Sequence, residues 1–242
     1  MLHLDHLMIA QSGFHLSADW QAEPGARLAL IGPSGAGKST LLAVLAGFVP
    51  PASGRVLWQG ADITGVPPGK RPMSILFQDQ NLFPHLTLTQ NLALGLAPRI
   101  RLSRVDPARI EGALARVGLA GMGERRPGTL SGGQASRAAL ARTLLRARPI
   151  LLLDEPFAAL GPALKAEMRA LLAEVATETG ALTLLVTHHP AEARAFAPCT
   201  VLVADGVALP PQPTPPLEPP QPMTAPEFAA ESLAAPEPGT DE

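Results

Sequence analysis

Apolar residues along this chain fall into two patterns whose order predicts the architecture. Short unbroken runs occur at Ile150-Leu151-Leu152-Leu153 and Leu182-Thr183-Leu184-Leu185-Val186. Runs without polar alternation are expected of parallel strands covered on both faces. Between them, Pro162 to Thr179 sets Leu164, Met168, Leu171, Leu172 and Val175 at helical spacing, with Pro162 at the first position and Gly180 as the stop. Arg27-Leu28-Ala29-Leu30-Ile31 predicts another strand, and Lys38 to Phe48 a helix with Leu41, Leu42 and Leu45 on one face. Met73 to Phe77 predicts a further strand.

Together these elements predict an α/β protein with a parallel core sheet and flanking helices. Leu2 to Leu16 and Arg55 to Gln59 read as short antiparallel strands beside that sheet. From about Asp79 to Arg148 the patterns are mostly helical, with Asp106-Pro107 as cap and first position and Gly118 as a stop. This stretch is expected to form a helical subdomain inserted into the core.

Composition alters this picture mainly at the C-terminus. Of 27 prolines, eleven fall between Pro210 and Pro238. Residues 210–242 are expected to be a disordered tail, because so little aliphatic surface cannot repay the entropy of ordering. The tail holds six acids and no Lys or Arg, which removes six negative charges from the net −2 and leaves residues 1–209 at +4. That balance is too mild to argue for nucleic acid. No apolar run approaches the roughly 20 residues that span a bilayer. Met1-Leu2-His3-Leu4-Asp5 lacks the basic start of a signal peptide, so a cytosolic chain is expected. Cys199, the single cysteine, is expected to be a small buried residue, and neither an intrachain disulfide nor a cysteine metal cage can form.

Candidate chemistry lies at the strand ends. Gly32-Pro33-Ser34-Gly35-Ala36-Gly37-Lys38-Ser39-Thr40 has the spacing of a phosphate loop, between a predicted strand and a predicted helix. Its backbone N–H groups can surround a β-phosphate, Lys38 can reach the β/γ oxygens, Ser39 can ligate Mg²⁺, and Thr40 can add a phosphate hydrogen bond. Asp154-Glu155 follows four aliphatics at a strand end, where ligands of parallel sheets bind. Asp154 is expected on the metal shell and Glu155 as general base. His188 ends another strand, and its imidazole is expected to touch the γ-phosphate and orient the water and Glu155. His189 is expected to face away, towards the surface. Gln78, after the strand Met73 to Phe77, can contact Mg²⁺ or its water and move with the helical insertion. Beyond it, Asn81-Leu82-Phe83-Pro84-His85-Leu86 puts apolar groups in a loop, either for a partner groove or for packing inside the subdomain.

Leu130-Ser131-Gly132-Gly133-Gln134 supplies a second anion site, a glycine-rich turn opening a helix at Gln134. Two half-sites far apart in sequence are most simply completed by two copies related by a two-fold axis.

This ordered set, GPSGAGKST, Gln78, LSGGQ, ILLLDEP and His188, resembles the ATP-binding subunits of ATP-binding-cassette (ABC) transporters over about residues 1–207. The resemblance implies a homodimer. Two ATP molecules would lie between the phosphate loop of one copy and Ser131, Gly132, Gly133 and Gln134 of the other. It further implies two integral membrane permease subunits docked near Gln78, a periplasmic solute-binding protein acting indirectly, and a peripheral position on the cytoplasmic face of the inner membrane. Pro51-Ala52-Ser53-Gly54, Arg71 to Gln78 and Asn81 to Thr87 are most similar to the ATP-binding subunits of bacterial thiamine importers. Importers of other small solutes and soluble ABC ATPases remain as alternatives. The sequence departs from the family at two places: Gly161 stands where an Asp is usual, and no tyrosine is present to stack on adenine, leaving Phe14 as the nearest aromatic.

Overall fold

The computed structural model describes residues 1–11, 13–77, 82–96, 105–158 and 160–215. The chain opens with β1 (Leu2–Gln11) and β2 (Phe14–Ala22), an antiparallel pair in which Leu2 faces Ala22 and Gln11 faces Phe14. The span read as Leu2 to Leu16 is thus two strands, longer than expected. Next come β3 (Arg27–Ile31), α1 (Lys38–Ala46), β4 (Ser53–Trp58), β5 (Ala61–Asp62) and β6 (Met73–Leu76). Three helices follow, α2 (Leu88–Leu96), α3 (Pro107–Arg116) and α4 (Gly132–Leu145), in the stretch expected to be a helical insertion. The chain closes with β7 (Ile150–Asp154), α5 (Pro162–Thr179), β8 (Leu182–Val186), α6 (Pro190–Phe196), β9 (Cys199–Ala204), β10 (Val207–Ala208) and β11 (Gln212–Pro213).

Hydrogen bonding orders the strands β5-β4-β1-β2-β10-β9-β3-β8-β7-β6, with β11 against β9. Strands β9, β3, β8, β7 and β6 are parallel neighbours, and β1, β2, β4 and β5 form the antiparallel wing. Each side of the parallel strands has its own core, which is why their sequences do not alternate in polarity. Leu28, Leu30, Leu152, Leu184 and Val186 pack with α1 and with Leu4, Trp20, Val56 and Trp58 of the wing. Ala29, Leu151, Leu153 and Leu185 pack on the other side with Leu92, Leu114, Leu140 and Leu172 of the helices.

Local boundaries follow backbone chemistry. Asp106 caps α3 by accepting from the Ala108 N–H at 2.9 Å. Helix α5 has the bounds expected from Pro162 and the left-handed Gly180, though Leu164 is only partly buried. Helix α1 ends at Ala46, two residues short of Phe48, because Gly47 turns left-handed at φ 85°. A buried arginine completes that end: Arg71 donates Nη1 to the carbonyls of Val44 (2.8 Å) and Leu45 (2.5 Å), Nε to Val66 (2.8 Å) and Nη2 to Thr64 (2.6 Å). Its cation sits at the negative pole of the helix that carries the phosphate loop.

Three expectations change. The segment read as tail from residue 210 begins ordered: Gln212 pairs with Thr200, Pro213 with Cys199, and the Thr214 hydroxyl donates to the Ala197 carbonyl at 2.8 Å. Residues 216–242 lie outside the described residues. Cys199, the first residue of β9, is half-buried against the core rather than enclosed. Leu82 packs into the helical core, whereas Phe83 is 45% exposed, so packing inside the subdomain holds for the first of the two and not for the second.

Candidate functional site

The ends of β3, β7 and β8 meet at one edge of the parallel sheet, with Leu30 opposite Val186 and Asp154 opposite Val186 in register. The chain leaves β3 through Gly32 at φ 154°, where any Cβ would collide with the Val203 carbonyl of β9. Pro33 and Ser34 are exposed, Ala36 packs partly against the core, and Ala36 N–H closes a turn on the Pro33 carbonyl at 3.2 Å. Gly35 (φ 80°) and Gly37 (φ 96°) take left-handed conformations that turn the loop onto the start of α1. Lys38 is 7% exposed and donates to the carbonyls of Gly32 and Pro33, both at 2.8 Å. Above the loop lies a cavity of about 260 Å³ lined by Ser34, Lys38, Ser39 and Thr40 together with Phe14 and Glu155. Phe14 lies against Gly37 so closely that a Cβ there would enter its ring.

Asp154 ends a strand in which every residue is buried. Burial pushes its carboxyl above the usual value; the Ser39 hydrogen bond opposes this, the charge of Glu155 adds to it, and Lys38 opposes it. Its Oδ1 is enclosed without a hydrogen-bonding partner. A buried carboxylate oxygen needing a partner, beside a serine hydroxyl, suits a hard divalent cation that keeps most of its waters. Among the described residues no group of three or more His, Cys, Asp or Glu could hold a metal alone.

Glu155 breaks the strand by adopting φ 46°, left-handed for a non-glycine residue, while its N–H donates to the Val186 carbonyl at 3.1 Å. This turn brings its carboxylate to the cavity, within 3.1 Å of Nδ1 of His188 at the end of β8. His189 is exposed, as expected, but it does not face away from His188 as alternation would have it. Its ring lies 3.9 Å from that of His188, because it is the residue before Pro190 and caps α6 instead of continuing the strand. Gln78 lies outside the described residues.

The second glycine-rich element lies at the start of α4. Ser131 is its N-cap, so the helix begins at Gly132, two residues before the expected Gln134. Ser131 Oγ accepts the Gln134 N–H at 3.2 Å, and Gln134 Oε1 accepts the Ser131 N–H at 3.0 Å. Ser131 and Gly132 are exposed, Gly133 and Gln134 half-buried, and none of the four lines the phosphate-loop cavity. Arg137, one turn on, bonds the carbonyls of Val117 (2.9 Å) and Gly118 (3.3 Å), fixing α3 to this helix.

A polar chain that the motifs did not reveal stands behind His188: Thr187, Glu192 and Lys165, joined by hydrogen bonds of 2.8 and 2.9 Å. The only local hint was a glutamate in the first turn of a helix marked by Pro190.

A phosphate loop on β3 and α1, facing two strand-end acids, defines a P-loop nucleotide hydrolase. The family model described as ABC transporter matches residues 16–158. The chain belongs to that family and is an ABC-type ATPase subunit. It is 67% identical over 214 residues to the thiamine import ATP-binding protein ThiQ of Cereibacter sphaeroides, covering 88% of this chain and 93% of that one. It is 48% identical over 184 residues to the protein of the same name in Escherichia coli K12, covering 76% and 79%. Among solved structures, the ATP-binding cassette MJ0796, dimeric in a post-hydrolysis state with ADP and Pi, superposes with a TM-score of 0.79 at 26% identity, covering 90% of this chain and all of that one.

Proposed function

We propose that this chain is the ATP-hydrolysing, energy-coupling subunit of a bacterial importer for thiamine or its phosphates. The observation that carries the solute is the 67% identity, over nearly the full length of both chains, to a thiamine import ATP-binding protein.

The backbone N–H groups of residues 32–37 and the start of α1 hold the β-phosphate. Lys38 exchanges the carbonyls of Gly32 and Pro33 for β- and γ-phosphate oxygens. Ser39 and Asp154, with Gln78 as the further candidate from the sequence, would hold Mg²⁺, which when bound would supply positive charge to offset that of the phosphates. Glu155 removes a proton from the water that attacks the γ-phosphorus, and His188 holds Glu155 and contacts the γ-phosphate. The bond to the β–γ bridging oxygen breaks and ADP leaves with its electron pair.

Ser131, Gly132, Gly133 and Gln134 act on the ATP of a second copy. Supporting this is their absence from the phosphate-loop cavity of their own chain, together with the dimeric state of the MJ0796 cassette. Among the described residues no helix is long and apolar enough to cross a membrane. Attachment to the cytoplasmic face of the inner membrane then runs through two permease subunits, and the exposed Phe48 and Phe83 offer them apolar contacts.

Uptake of labelled thiamine by cells with and without this chain, and with Glu155→Gln, tests the proposal. Loss of uptake in both altered strains is expected. Undiminished thiamine uptake without the chain would reject this solute, and purification from detergent extract without stoichiometric integral membrane proteins would reject the importer role.

A further inference from the structure

Thr187, Glu192 and Lys165 connect three elements around the catalytic edge without touching the phosphate cavity. Thr187 follows β8, is 1% exposed, and donates Oγ1 to Glu192 Oε2 at 2.8 Å. The same Oγ1 accepts the His189 N–H at 3.1 Å, and the Thr187 N–H donates to the Leu30 carbonyl at 3.3 Å. The peptide after His188 and the peptide before Thr187 are therefore both held through Thr187, on either side of the two-residue step that carries the His188 ring. Glu192, in the first turn of α6, is 9% exposed and takes Lys165 Nζ on Oε1 at 2.9 Å. Burial pushes the Glu192 carboxyl up, but the hydrogen bonds from Lys165 and Thr187 outweigh it and leave the carboxyl below its ordinary value. Lys165 sits in the first turn of α5, where its N–H closes on the Gly161 carbonyl at 2.9 Å.

A partly buried ion pair of this kind adds little net stability over apolar packing, since desolvation offsets attraction. What it supplies is direction. Each oxygen of Glu192 has one fixed donor, and the free orientation of the Thr187 hydroxyl is removed.

We infer that Lys165, Glu192 and Thr187 are positioning residues for hydrolysis, holding the backbone around His188 so that its ring meets Glu155 and tying that geometry to the loop ending at Gly161. The inference rests on ATP hydrolysis by this chain, which the wild type reports in the same assay.

The full-length chain and its Glu192→Gln, Thr187→Val, Thr187→Ser and Lys165→Met variants are compared for kcat, KM for ATP and thermal unfolding. Glu192→Gln, Thr187→Val and Lys165→Met are expected to lower kcat about tenfold with KM within about twofold, as for a slightly misplaced catalytic group. Thr187→Ser, which keeps the hydroxyl, is expected to restore kcat to near wild type. A purely structural tie would lower the unfolding temperature and leave kcat untouched below it, and that result overturns the inference. So does a Thr187→Ser variant as slow as Thr187→Val. Should Glu192→Gln fail to fold, Lys165→Met and the Thr187 pair carry the same decision. A wild type without turnover would overturn the hydrolytic assignment itself, and this inference with it.

Discussion

Glu155 and His188 meet across the ends of two paired parallel strands, carboxylate oxygen to ring nitrogen at 3.1 Å. The contact exists because Glu155 leaves β7 in a left-handed turn at φ 46°. Replacing it with Gln keeps the shape but removes the proton acceptor. Glu155→Gln is expected to bind ATP within about twofold of wild type and to slow single-turnover hydrolysis by about 10²–10⁴. Light scattering should show the ATP-bound variant accumulating as a dimer. Wild-type turnover in this variant would remove Glu155 from the mechanism.

Phe14 occupies the space beside Gly37, where no side chain could stand. In a chain without tyrosine it is the aromatic at hand for the adenine ring. Phe14→Ala is expected to cost about 1–3 kcal/mol of ATP affinity, the scale of base stacking on an aromatic. Tripolyphosphate, which lacks a base, should bind both forms alike in the same titration. Equal losses for the two ligands would mean that the ring shapes the phosphate loop instead of holding the base.

Asp154 titrates against the fold. Its carboxyl is raised in the folded state, first by burial, so the native chain binds a proton more readily than the unfolded one. Its contribution to stability is therefore lost as pH rises from the ordinary Asp range, about 3.9, through the raised folded value. Asp154→Asn is expected to unfold at a higher temperature than wild type at neutral pH without nucleotide, the difference vanishing below the ordinary Asp range. With Mg²⁺ and ATP the wild type should gain more stability than the variant. A lower melting temperature for Asp154→Asn at neutral pH would contradict this account.

Gly161 caps α5 in an extended conformation (φ −71°, ψ 162°) with no side-chain cap, and a Cβ there meets nothing within 4 Å. Gly161→Asp should fit without strain and stabilise the chain by only a few tenths of a kcal/mol, about the difference between glycine and aspartate as caps. Its expected effect is on coupling. The restored carboxylate should steepen the dependence of ATPase rate on ATP concentration, read as a higher Hill coefficient. An unchanged coefficient would separate this position from communication between the two sites.

Much of the architecture is legible in the sequence. Unalternating runs such as Leu151 to Leu153 read as two-sided strands because the two cores take alternate side chains of the same strand. The phosphate loop, the Asp154-Glu155 pair and the Ser131 to Gln134 turn were legible for a related reason. Each depends on backbone conformations and donors that lie within a few residues of one another, so spacing alone encodes them.

Relations between distant segments had no such trace. Four carbonyls from two segments converge on Arg71, Phe14 shields Gly37, and Lys165, Glu192 and Thr187 join α5, α6 and β8. None of these partners stands at a fixed interval from the other along the chain. Even His189 escaped the alternation rule once Pro190 started a helix. Local periodicity and glycine chemistry thus determined which elements form and which loops can hold phosphate. Only the packed sheet, by bringing the ends of β3, β7 and β8 to one edge, decided which side chains touch there, because contact across a sheet depends on strand order and register and not on distance along the chain.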